Sequence, residues 1–257
     1  MSSPSWDYIA KLVCIGDSGT GKSSLTIRLC EGRFTPYHDV TIGVEFGSRM
    51  VPVGPPNTQP AKPKPSLSRD PSLADISEGL PEPRRAEEKV VQKHMKLSLW
   101  DTAGQETYKS VTRSYFRGAS GALLVFDISR RATFNHVMDW LNDLRQIAEP
   151  DIVVILVGNK SDLATGDENK REVTKEEAEE WATKNGVLEY VETSAKSGEG
   201  VELAFCRVAE RIYLNIEAGK YDLNDRRSGV KGPNWRNQQR VKLGAPAKAN
   251  GWGGGCC

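Results

Sequence analysis

No apolar run in the 257-residue chain approaches the roughly 18 residues that a membrane-crossing helix needs, so no such helix is expected. Cysteine is scarce: of five, Cys14, Cys30 and Cys206 sit singly in apolar patterns and Cys256 and Cys257 close the sequence. That is no disulfide framework, and it suits a reducing compartment. The opening Met1-Ser2-Ser3-Pro4 lacks the basic start and apolar stretch of a secretory leader, and Ser2 stands where N-myristoylation needs glycine; neither is expected. Net charge is almost absent, at +1, but unevenly spread. From Arg226 onward there are seven Lys or Arg and no Asp or Glu, so residues 1–225 sum to −6. A mildly acidic body therefore carries a basic tail.

What is present is a strand–helix alternation over residues 8–216. Short β-branched apolar runs at 9–15, 95–100, 121–126, 152–157 and 187–191 read as strands. Helices follow, as at 133–148, where Phe134, Val137, Leu141, Leu144 and Ile147 recur three or four apart, and at 201–216. This implies an α/β fold with a mostly parallel sheet, and ligands outside the carboxyl ends of its strands. Residues 52–93 break the pattern with nine of the chain's 14 prolines and few apolar side chains. They read as a disordered loop joining strands 43–51 and 95–100, and residues 218–257 as a disordered basic tail.

Four motifs follow strands in a fixed order. Gly16-Asp17-Ser18-Gly19-Thr20-Gly21-Lys22-Ser23 fits G-x-x-x-x-G-K-[ST] between a strand and a helix, the context in which backbone N–H groups and a helix N-terminus cradle phosphates. Ser18, Gly19, Thr20, Gly21, Lys22, Ser23 and Ser24 are the expected phosphate-binding residues, with Lys22 reaching the β/γ-phosphates and the Ser23 hydroxyl on Mg²⁺. Asp101-Thr102-Ala103-Gly104-Gln105 ends the next strand: Asp101 can hold Mg²⁺ through water, the Gly104 N–H can approach a γ-phosphate, and Gln105 can orient the attacking water. Asn159-Lys160-Ser161-Asp162 reads the base. A carboxylate there accepts two hydrogen bonds from guanine's N1–H and 2-amino group, whereas adenine would leave it unpaired. Asn159 steadies the loop and base, and the Lys160 stem packs over the ring. Thr193-Ser194-Ala195-Lys196 offers a backbone N–H to the guanine carbonyl.

With these motifs in hand, the sequence resembles the Ras superfamily of small GTPases, and within it the Rab family. The resemblance spans residues 8–216 apart from the insert, and the C-terminal cysteine pair. Thr41-Ile42-Gly43-Val44-Glu45-Phe46, Trp100-Asp101-Thr102-Ala103-Gly104-Gln105-Glu106 and Tyr115-Phe116-Arg117-Gly118-Ala119 are Rab-like. Thr112 to Ala119, Thr133-Phe134-Asn135-His136 and the ending Gly253-Gly254-Gly255-Cys256-Cys257 are similar to Rabs of the Golgi and early endosome.

The resemblance implies a P-loop G domain over 8–217, with a six-stranded sheet and helices on both faces, after an N-terminal tail of residues 1–7. It places Phe34 against the guanine and Thr41 on Mg²⁺ and γ-phosphate in the GTP state. Gln105, Lys22, Thr41 and Gly104 carry catalysis. Ile42, Gly43, Phe46, Trp100 and Tyr115 form the effector surface. Cys256 and Cys257 are the geranylgeranylation site, and the basic stretch 226–248 adds attraction to anionic lipid. Implied partners are an exchange factor, an activating protein, a GDP-dissociation inhibitor, the escort and prenyl-transferase proteins, effectors and a membrane. A monomer on the cytoplasmic face of Golgi or early endosome, with a cytosolic pool, is expected.

Two features depart from the family. Thr107-Tyr108-Lys109 replaces the usual Arg-Phe-Arg, and the proline-rich insert is foreign; chain direction puts it in the β-hairpin turn far from the nucleotide. Asp162 argues against a P-loop ATPase or kinase. Lys22, Ser23, Thr41 and Gln105 argue against a GTP-binding scaffold that does not hydrolyse. No stacking platform supports nucleic-acid binding by the tail.

Overall fold

The computed structural model describes residues 6–36, 39–56, 91–105, 109–164, 169–225 and 227–233. Elements alternate in chain order: β1 (Tyr8–Ile15), α1 (Lys22–Glu31), β2 (Val44–Val53), β3 (Lys93–Thr102), α2 (Lys109–Ser114), β4 (Gly121–Asp127), α3 (Arg131–Asn135), α4 (Val137–Ile147), β5 (Val153–Asn159), a 3₁₀ turn (Ser161–Ala164), α5 (Lys175–Lys184), β6 (Tyr190–Thr193), α6 (Val201–Glu217) and β7 (Val230–Lys231). The sheet order is β2-β3-β1-β4-β5-β6, with β7 added beside β1. β2 and β3 form an antiparallel hairpin; β3, β1, β4, β5 and β6 run parallel.

The two-residue side-chain period of a strand divides the core between two faces. Ala10, Leu12 and Cys14 of β1, Leu123 and Val125 of β4 and Val153, Ile155 and Val157 of β5 pack with Leu25 and Leu29 of α1 and Phe205, Val208 and Ile212 of α6. The alternate residues, Val13, Ile15, Leu124, Phe126, Val154 and Leu156, pack with Phe134, Trp140, Leu141 and Leu144 of α3 and α4 and Ala178 and Ala182 of α5. Strands buried on both faces read as continuous apolar runs, which is why β4 and β5 stand out in the sequence. The fold is the expected α/β/α P-loop architecture.

Three expectations about boundaries change. Pro52, Val53 and Lys93, read as part of the insert, belong to strands: the hairpin ladder runs from Val44↔Thr102 to Val53↔Lys93. Val53 is buried, the Gly54 N–H donates to Glu210 Oε2 of α6 at 3.1 Å, and Gln92 Nε2 donates to the Val53 carbonyl at 2.9 Å. These contacts reward ordering that the proline content obscured.

Second, residues 218–225 and 227–233, read as structureless tail, fold back along the sheet, and β7 makes a seventh strand. β4 reaches β1 only from Leu12 onward, so the backbone of Ile9–Lys11 has an open side there. β7 covers it antiparallel, with Ile9↔Lys231 and Ala10↔Val230, and the Lys11 N–H donates to Gly229 O at 2.9 Å. A Cβ on Gly229 would lie 1.8 Å from the Gly118 carbonyl, so only glycine passes. Val230 is fully buried, and Tyr221 and Leu223 pack on the core. Third, α3 and α4 replace the single helix expected over 133–148. The insert over 57–90, Glu106, Thr107 and Tyr108, residues 1–5, and the tail beyond 233 with Cys256 and Cys257 lie outside the described residues.

Candidate nucleotide site

β1 lies between β3 and β4, where the chain passes from one side of the sheet to the other. Loops after such a strand diverge and leave a crevice at its carboxyl end. There a cavity of about 630 Å³ opens, walled by the phosphate loop, the loop before β2, Gly104, and the loops after β5 and β6. Its size suits a small ligand. Of the expected residues, Ser18, Gly19, Gly21, Lys22, Ser23, Ser24, Phe34, Thr41, Gly104, Asn159, Lys160, Asp162, Ala195 and Lys196 line it.

At the phosphate end, Lys22 is buried and its ammonium donates to the Gly16 and Asp17 carbonyls at 2.8 Å each. Burial pushes its pKa down, and the charge of Asp101 works against that. The Ser18 N–H donates to the Gly104 carbonyl at 3.0 Å. A Cβ on Gly104 would fall 2.4 Å from Lys22 Nζ and 2.5 Å from Gly16 O, so the sensor loop meets the phosphate loop only because residue 104 has no side chain. Ser23 Oγ and Thr41 Oγ1 are 2.8 Å apart.

These hydroxyls and the fully buried Asp101 carboxylate are hard oxygen donors, as Mg²⁺ requires. Among the described residues no group of three His, Cys, Asp or Glu could hold a metal, so phosphate oxygens and water would complete the shell, a usual arrangement for Mg²⁺. The donor set fits that ion.

At the base end, Asn159 is fully buried and works as a tie. Its Nδ2 donates to the Thr20 carbonyl at 2.8 Å, and its Oδ1 accepts from Thr193 Oγ1 and the Ala195 N–H at 3.2 Å each. The phosphate loop, β5 and the loop after β6 thus meet on one side chain. The Ala195 amide is thus engaged within the protein. Ser194 lies behind the wall and donates its hydroxyl to Asp162 Oδ1 at 2.6 Å, aiming the carboxylate. Lys160 takes a left-handed backbone, φ 69°, and its ammonium meets Asp127 at 2.6 Å.

Four expected residues stand off the cavity wall. Thr20 is buried and donates inward to the Asp17 carbonyl at 2.9 Å. Ser194 acts through Asp162, and Asp101 sits beneath the wall. Gln105 follows Gly104, half-buried and outside the lining. Thr35, Pro36, Asp39, Val40, Thr102 and Leu163 line the cavity without having been singled out.

Sequence reasoning also missed a supporting tier. Arg28 of α1 donates Nε to the Ala195 carbonyl at 2.8 Å and Nη2 to the Lys196 carbonyl. Asp17 accepts from Trp140 Nε1 at 2.8 Å and meets His136 Nδ1 at 2.7 Å. Asp127 and Arg130 reach the loops from behind. Arg28, Asp127 and Arg130 fall in no spaced motif, and the motif that holds Asp17 gives no sign of its partners Trp140 and His136. A charged residue closing the apolar run 121–126 was the one available signal, for Asp127.

Beside the cavity, Ile42 and Phe46 are 79% and 67% exposed, too far out for core roles. The Phe46 ring meets Trp100 at 4.5 Å edge-on, and Trp100 meets Tyr115 at 5.4 Å. Lys11 Nζ sits 4.1 Å from the centre of the Trp100 ring. Gly43 accepts from the Ala103 N–H at 3.0 Å, joining this surface to the sensor loop. In a comparison with protein-family models, residues 11–59 and 81–214 match the one described as the Ras family.

Proposed function

The chain belongs to the Ras family, a family of small GTPases that bind and hydrolyse GTP, and on that premise we propose that it is a Rab-type switch for vesicle-mediated transport. GTP is the substrate, and GDP and phosphate the products. Asp162 selects the purine. Lys22 and the phosphate-loop amides hold the phosphates. Mg²⁺, where bound by Ser23, Thr41 and, through water, Asp101, would neutralise charge between the phosphates. Thr41 and Gly104 are drawn inward in the GTP state and released after hydrolysis. Gln105 orients the attacking water. No arginine in the motifs is set to complete the transition state, so turnover is slow until an activating protein acts.

The observation that carries the Rab reading is the contiguous Phe46–Trp100–Tyr115 surface, reached directly from Thr41 through Ile42 and Gly43. An aromatic cluster with Phe46 exposed and Trp100 and Tyr115 half-buried, next to a nucleotide-responsive segment, suits effectors that recognise one state. Exchange and activating proteins, a GDP-dissociation inhibitor and prenyl-transferase complex are the further partners. Cys256 and Cys257 would carry two prenyl chains, enough for stable anchoring, on the cytoplasmic face of Golgi or early endosome.

Two measurements test this. Unlabelled GTP, and not ATP, should displace labelled GDP from the purified chain; displacement by ATP sinks the guanine reading. Chain from a eukaryotic host should carry prenyl groups on both terminal cysteines, and an unmodified terminus removes the membrane claim. The position of Gln105 off the cavity wall favours one second reading, a GTP-binding scaffold with negligible hydrolysis. Single-turnover hydrolysis with activating protein decides between them.

A further inference from the structure

The two ends of the cavity are gripped by loops far apart in sequence, and one buried carboxylate lies between them. Asp127, the last residue of β4, is 1% exposed. Its Oδ2 meets Lys160 Nζ at 2.6 Å and Arg130 Nε at 3.1 Å. Its Oδ1 accepts from the Ser129 N–H at 3.0 Å and the Ser129 hydroxyl at 2.6 Å. Arg130 then donates Nη2 to the Ser18 carbonyl at 3.1 Å, and that nitrogen lies 3.3 Å from where a Cβ on Gly19 would stand. A continuous polar chain therefore runs from the purine-reading loop to the phosphate loop: Lys160, Asp127, Arg130, Ser18.

We propose that Asp127 and Arg130 are positioning residues for the nucleotide, holding the two loops in one register and so setting how long guanine nucleotide stays bound. The inference rests on the nucleotide reading above. Three physical points carry it. Lys160 occupies a left-handed backbone that disfavours a residue with a Cβ, and its ion pair with Asp127 offsets that strain. Removing the buried carboxylate frees Lys160 and Arg130, both partly exposed, from the one anchor they share. Arg130 is half-exposed, with 47% of its side chain accessible, so its contact with Asp127 adds little to folding. Its reach to Ser18 is instead directed at the loop that must wrap the phosphates.

The test is GDP dissociation from the full chain with Mg²⁺, followed by a fluorescent GDP. Asp127→Asn should release GDP about tenfold faster or more, the equivalent of one lost charge-assisted hydrogen bond. Arg130→Gln should accelerate release severalfold. Arg130→Lys should not rescue it, because a point ammonium cannot hold the carboxylate and the Ser18 carbonyl together as a planar fork does. The double variant Asp127→Asn/Arg130→Gln should release no faster than Asp127→Asn alone, since the contacts act in series. A merely structural role predicts effects that multiply and an Arg130→Lys chain like the wild type; either result overturns the inference. So do rates within twofold of wild type in Arg130→Gln, which serves if Asp127→Asn does not fold. A wild-type chain that fails to hold GDP overturns the nucleotide reading and this inference with it. Retention by wild type with unaltered variants overturns this inference alone.

Discussion

Ser23 and Thr41 meet hydroxyl to hydroxyl at 2.8 Å, so a longer side chain at either position breaks the pair. Ser23→Asn puts an amide where the pair closes on the cation. It should weaken binding of GTP with Mg²⁺ at least about tenfold relative to GDP, since only the triphosphate state draws Thr41 in. Equal losses for both nucleotides, by equilibrium titration, would remove the metal role. Asp127 gives a pH signature. Burial alone would raise its pKa, but hydrogen bonds from Lys160 and Ser129 and the Lys160 charge hold it below the usual carboxylate range. Its stabilisation is therefore complete above the unfolded value of about 4 and is lost as pH falls through the lower folded value. Unfolding free energies of wild type and Asp127→Asn should differ most near neutrality and converge in acid; a constant gap would show that the charge is irrelevant.

At this scale the sequence disclosed the residues that touch a ligand better than those that hold them. Lys22, Ser23, Asn159 and Asp162 sit in spaced motifs whose chemistry is legible from residue type, and Thr41 was placed by the family resemblance. Arg28, Arg130 and Trp140 act on carbonyls and a carboxylate remote in sequence, and Asp127 on the distant Lys160 ammonium; such pairings arise only once the sheet brings strand ends together.

Strands and helices follow the same division. β4 and β5 were evident because burial on both faces demands unbroken apolar runs, and β1 approaches this with Lys11 alone interrupting it. β7 was not, because its two residues, Val230 and Lys231, have no period and lie amid basic, polar neighbours. It exists because β1 has an open edge at Ile9–Lys11, a fact of topology rather than composition. Val230→Asp places a charge at a fully buried position, and the cheapest response is release of the strand. The Lys11 amide, which donates to Gly229, should then lose hydrogen-exchange protection while the amides of β4 and β5 keep theirs. Unchanged protection at Lys11 would mean that β7 contributes no local stability. The extension of β2 and β3 to Val53 and Lys93 has a similar origin: Tyr213, Glu210 and Glu217 of α6 supply contacts that local composition does not show.

For the whole molecule, the Val53 and Lys93 ends of the hairpin strands and β7 lie at the end of the sheet opposite the cavity. Lys93 Nζ lies over the Tyr8 and Tyr213 rings there, and Tyr8 pairs with Met95. A chain in which residues 57–90 are replaced by a short turn keeps every described hairpin contact. Its GDP dissociation rate should stay within about twofold of wild type, since loop length enters closure entropy only logarithmically. A larger change would tie the insert to the nucleotide.

The placement of β7 has a mechanical consequence. A load applied through the C-terminus reaches this two-residue ladder before any other described element and opens it like a zipper, a bond or two at a time. Once the Tyr221 and Leu223 contacts with the core follow it, residues 219–233 span up to about 50 Å at full extension. Only then does tension arrive at α6, whose other end adjoins the base-holding loop. The short strand acts as a fuse, yielding to a tug on the tail before the load reaches the helix.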